Sequence, residues 1–85
     1  MEIKEGDLIK IDINKIMKYD NIQPYIQLLK KVIKNSEGKP YVSKVNKDDI
    51  DIRAWKYDIQ GDVTIPRNSV IKVVGNDLNY ELKQR

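Results

Sequence analysis

Chemistry in this chain would have to come from carboxylates, lysines and three serines, because the sequence contains neither histidine nor cysteine. The commonest general bases and nucleophiles are therefore missing. A serine–lysine pair would need Ser36, Ser43 or Ser69 beside a desolvated lysine, and the adjacent Ser43 and Lys44 point to opposite faces of a strand. The expectation is a protein that is not an enzyme. Asp48, Asp49 and Asp51 invite a calcium reading, which wants oxygen ligands at alternate positions and a glycine in mid-loop. Counting from Asp49, the fifth position is Arg53 and no glycine follows in place. Solvated charges on a turn and a strand account for these carboxylates better, and neither metal nor cofactor is expected.

The lysines are distributed unevenly. Between Lys30 and Lys47 lie six of them (Lys30, Lys31, Lys34, Lys39, Lys44 and Lys47) against the single acid Glu37. From Asp48 to Asp62 five aspartates outnumber Arg53 and Lys56. A surface polarised in this way can steer an anionic partner. Tyr41, Trp55 and Tyr57 could offer stacking faces beside the six lysines, as in barrels that bind oligonucleotides. Those lysines are thus candidates for binding nucleic acid. The bland alternative is a solvated helix face, since a total charge of +3 gives only weak salt-dependent attraction.

A few elements of secondary structure carry these groups. Glu5–Ile13 reads as a strand opened by the Gly6-Asp7 turn, with Ile9, Ile11 and Ile13 on one face. Asn14–Asp20 either extends that strand or covers one end of the fold. Apolar residues at Ile22, Tyr25, Ile26, Leu29, Val32 and Ile33, with Leu28 at the margin, predict one amphipathic helix over Ile22–Lys34. Asp20 or Asn21 can cap it, Pro24 falls in its first turn, and Asn35 to Gly38 stop it. Leu28 is either an extra core residue or a dimer contact. Strands follow at Tyr41–Val45 and Asp49–Tyr57, the latter with Ile50, Ile52 and Ala54 inward. Trp55 then lies on the opposite face. Covered by the helix or the tail it is structural; exposed, it is an interface anchor. Gly61–Val74 reads as a closing hairpin turned at Pro66-Arg67-Asn68-Ser69, and Leu78–Leu82 as a last edge strand.

Eighty-five residues with 34% charge suit a single small folded domain. The acidic start lacks the apolar core of a signal peptide, and no apolar run approaches the ~18 residues of a membrane span. The expected location is cytoplasmic.

Two stretches together resemble the Src-homology-3-like barrel. Lys4-Glu5-Gly6-Asp7-Leu8-Ile9-Lys10-Ile11 is similar to that family's Gly-Asp opening of a strand. Ile65-Pro66-Arg67-Asn68-Ser69-Val70, with Gly61 before it, is similar to its closing turn, and Ala54-Trp55 falls near its tryptophan pair. The resemblance implies a small α+β, mostly β, barrel of about five or six antiparallel strands carrying one inserted helix. It nominates Trp55, Tyr57, Pro66 and Arg67 as contacts for a protein partner. Ser69 stands where the family carries a groove tyrosine, and the aromatic-rich opening segment is absent, so proline-ligand recognition is not implied. The expected function is a non-enzymatic binding module, of the kind that serves as an accessory protein of a phage, a mobile element or a larger complex. The alternatives are the nucleic-acid binder above and a structural subunit that forms a homodimer through its edge strand.

Overall fold

The computed structural model describes residues 2–18, 20–55 and 61–76. Tyr57 and the predicted edge strand Leu78–Leu82 lie outside the described residues. Five antiparallel strands form one sheet: β1 (Leu8–Ile11), β2 (Tyr41–Val45), β3 (Asp49–Arg53), β4 (Val63–Pro66) and β5 (Val70–Gly75), in the order β4-β3-β2-β1-β5. Two helices, α1 (Ile13–Met17) and α2 (Ile26–Lys34), fall between β1 and β2.

The chain starts β1 through Gly6, whose φ of +88° suits a residue without Cβ. Asp7 is buried there, its Oδ2 accepting the Lys4 N–H at 2.9 Å. Gly6 donates its N–H to the Val42 carbonyl at 2.8 Å, and Val42 donates back to Asp7 at 2.9 Å. The opening turn is thereby sewn to β2.

The first strand is shorter than its alternation predicts. Asp12 leaves the extended run to cap α1, its Oδ1 accepting the Asn14 N–H at 3.0 Å. Ile13 consequently falls on a helix and is exposed, while Ile16 is fully buried. The segment left open between strand and cover is this short helix followed by a 3-10 segment, Asp20–Tyr25.

That segment also corrects the predicted helix Ile22–Lys34. Pro24 lacks an amide donor and biases the residue before it away from the α region, so the first turn is 3-10 and α2 begins at Ile26. Tyr25, at φ −112° and ψ 7°, breaks the phase between the two, and its ring is 53% exposed rather than on the core face. Ile22, Leu29 and Val32 are buried as the spacing requires. Leu28 is half-buried against the core, its methyls touching the space beside Gly61.

One core holds the elements together. Ile9, Val42, Ile50, Ile52, Val63 and Ile65 from the sheet pack with Ile16, Ile22, Leu29 and Val32 from the helical excursion. Ala54 is buried with them, as the inward alternation of Ile50, Ile52 and Ala54 predicts.

The stretch Gly61–Val74 is not a hairpin. β4 pairs with β3 (Ile50 opposite Ile65, Ile52 opposite Val63), whereas β5 pairs with β1 (Ile9 opposite Val73, Ile11 opposite Val70). The two strands stand at opposite edges of the sheet. Pro66 brings no donor to a ladder, and a 3-10 turn, Arg67–Ser69, carries the chain across. Ser69 is fully buried, donating its hydroxyl to the Pro66 carbonyl at 2.6 Å, and its own carbonyl accepts the Asp12 N–H at 2.7 Å. Register shifts in the β1–β5 and β2–β3 ladders increase local twist. The sheet nevertheless does not close into a barrel among the described residues. No described helix is long and apolar enough to cross a membrane.

Candidate functional site

The residues nominated from the closing turn separate into two groups. Arg67 is bound to the β2–β3 turn: its backbone N–H donates to Asp48 O at 3.1 Å, and its Nη1 to the carbonyls of Asn46 and Lys47, each at 3.2 Å. A guanidinium fixed on backbone carbonyls braces that turn and gives the neighbouring surface a stationary positive charge. Pro66 is half-buried, and Asn68 beside it is exposed.

Trp55 is inside. It is only 7% exposed, and its indole N–H donates to the Lys39 carbonyl at 2.6 Å. Ordered burial of this kind ties the end of β3 to the approach to β2 and leaves little of the ring for a partner. Trp55 is thus buried rather than exposed. Tyr57 lies outside the described residues.

Concave surface flanks the closing turn. On one side Ile3, Arg67, Asn68 and Val70 line a groove of about 350 Å³. On the other, Lys15, Lys18, Pro66 and Asn68 line one of about 380 Å³. Lys15 Nζ donates to the Asn68 carbonyl at 3.4 Å, so α1 is part of this face. Pro66 and Arg67 therefore sit on groove walls, with Asn68 shared between them.

The six lysines of the basic stretch fall on several elements. Lys30 and Lys34 line a groove at the end of β1 together with Ile11, Ile13, Ile33 and Gly38. Lys44 stands opposite Asp51 in the β2–β3 register, and Lys47 is on the turn braced by Arg67. Lys39 contributes its carbonyl to Trp55. Lys31 is exposed on α2, where its carbonyl accepts from the Asn35 side chain.

The carboxylates have structural partners. Asp49 Oδ1 accepts from Asn46 Nδ2 at 2.7 Å, and Asp51 Oδ1 accepts the Thr64 hydroxyl at 2.7 Å. Asp62 Oδ1 accepts from Arg53 Nε at 2.6 Å, and its Oδ2 accepts the Ser43 hydroxyl at 2.9 Å. These groups staple β2, β3 and β4 on the face away from the core. Hydrogen bonding to the Tyr41 hydroxyl first, and to Asp62 second, holds Arg53 protonated above its ordinary range.

Lys15, Lys18 and Asn68 were not singled out by motif or composition. The signal that finds the lysines is local: Asp12-x-Asn14 is an N-cap, and recognising it places Lys15 and Lys18 three apart on one helix side. Asn68 belongs to the Pro66-Arg67-Asn68-Ser69 turn, whose residue types are its signal. No protein-family model, no curated protein and no solved structure matches this chain.

Proposed function

We propose that the chain is a non-enzymatic binding module with a Src-homology-3-like architecture, and that it engages a protein partner through the face around Pro66–Asn68 and α1. The architectural part draws support from the strand order β4-β3-β2-β1-β5, from the Gly6-Asp7 opening of β1 and from the 3-10 turn between β4 and β5. The observation that carries the functional part is the pair of grooves on either side of Asn68, which combine apolar walls at Ile3, Pro66 and Val70 with the cations Lys15, Lys18 and Arg67. Concave apolar surface with a few fixed polar groups is what specific recognition uses, and the absence of an acid among these lining residues favours a partner segment of negative charge.

The test is a partner capture repeated with Asn68→Glu, which places a negative charge between the two grooves from an exposed position, and with the double change Lys15→Glu/Lys18→Glu. Circular dichroism controls for folding. Loss of the wild-type partner by both folded variants is the expected outcome. Undiminished capture by both would refute the assignment of this face.

A further inference from the structure

The groove at the end of β1 is a separate feature. Its lining, Ile11, Ile13, Lys30, Ile33, Lys34 and Gly38, shares no residue with the two grooves beside the closing turn, and its volume is about 500 Å³. Its floor is aliphatic and in part open, for Ile13 is 38% exposed. Met17, one turn further along α1, is also exposed and lengthens the apolar strip. Lys30 and Lys34 stand on successive turns of α2, about 6 Å apart along the axis. Among the described residues neither lysine has an acidic partner, and no acid lines the groove.

We propose that this groove docks an acidic amphipathic helix of a partner protein. Charge selects the occupant: two ammonium groups beside a partly exposed aliphatic floor favour carboxylates that arrive with apolar side chains attached. Spacing selects its form. The wall itself reads Lys30-x-x-Ile33-Lys34, and its complement on a second helix is Glu-x-x-Leu-Glu, with the acids again about 6 Å apart and the leucine on the same side. Nucleic acid fits less well, because among the described residues the floor offers no aromatic ring for a base to stack on and the rim no arginine to fork onto phosphate. A membrane surface would meet a projecting apolar face, whereas this one is concave.

The experiment is fluorescence polarisation with a labelled alanine-based helical peptide carrying Glu-x-x-Leu-Glu units, titrated with the full chain at low and at physiological salt. Wild type is expected to bind saturably and more weakly as salt rises. Lys30→Glu/Lys34→Glu should weaken binding at least tenfold and prefer a peptide of reversed charge, while Ile33→Ser should weaken binding to either peptide. Lys72→Glu, exposed on β5 and on neither groove face, should stay within twofold of wild type. Thermal melts establish that each variant is folded. No saturable binding by wild type at low salt would overturn the proposal, as would equal binding by the Lys30/Lys34 variant. So would a labelled oligonucleotide or anionic phospholipid vesicle bound through Lys30 and Lys34 while the peptide is ignored.

Discussion

Replacing Trp55 by Phe tests whether this side chain is a structural tie or a partner anchor. Phenylalanine keeps the apolar body of the site and removes the indole N–H that donates to the Lys39 carbonyl at 2.6 Å. Loss of that hydrogen bond in a partly buried setting costs about 1 kcal/mol. The two ring systems differ by roughly 40 Å³, and at about 24 cal/mol per Å³ of unfilled cavity this adds ~1 kcal/mol. The sum is about 2 kcal/mol, which for a domain of this size lowers Tm by roughly 8–16 °C. Chemical and thermal denaturation measure the change. Because Trp55 is the chain's single tryptophan, intrinsic fluorescence of the wild type supplies an independent reading: native emission should lie to the blue of the unfolded chain. A variant within about 0.5 kcal/mol of wild type, together with native emission typical of solvated indole, would refute the buried tie.

Two further substitutions probe how the helical excursion is seated. Gly61 has φ +114°, and a Cβ there would meet Leu28 Cδ2 at 3.2 Å, so Gly61→Ala combines backbone strain with a push against α2; a loss of about 1–3 kcal/mol in urea denaturation is expected. Replacing Leu28 by Ala in the same chain should recover part of the contact cost and none of the strain. Asp12→Ala removes the cap of α1 and should cost about 1 kcal/mol, whereas Asp12→Asn, which keeps a capping oxygen, should stay within about 0.5 kcal/mol of wild type.

The core was largely legible in the sequence, because period and burial are linked by geometry. Ile50, Ile52 and Ala54 follow the alternation of a strand, and Leu29 and Val32 follow the stripe of a helix. The helix start was less so. Pro24 is compatible with the first turn of a helix, yet the segment around it is 3-10 and the α-helix begins at Ile26. The connection of β4 to β5 was the least legible. Two apolar runs flanking Pro66–Ser69 look alike whether they pair with each other or with distant strands, since local pattern fixes the face a residue occupies and not its neighbour. The deciding contacts are long-range: Asp12 N–H to Ser69 O, and Arg67 to the β2–β3 turn.

For the candidate site the same division holds. Pro66 and Arg67, nominated through the resemblance, each line one groove. The basic stretch looked continuous along the chain, but α2, the β2–β3 turn and the strands carry its lysines to different places. Lys15 and Lys18 were hidden because their helix is five residues long and too short for a periodic signal.

Strand order is the claim on which every nominated surface depends, and inter-strand nuclear Overhauser contacts test it most directly. Backbone contacts between Ile9 and Val73 and between Ile50 and Ile65, with none joining β4 to β5 across the Arg67–Ser69 turn, are the predicted pattern. A continuous β4–β5 ladder, such as Ile65 facing Val70, would make the closing segment a hairpin and contradict the account.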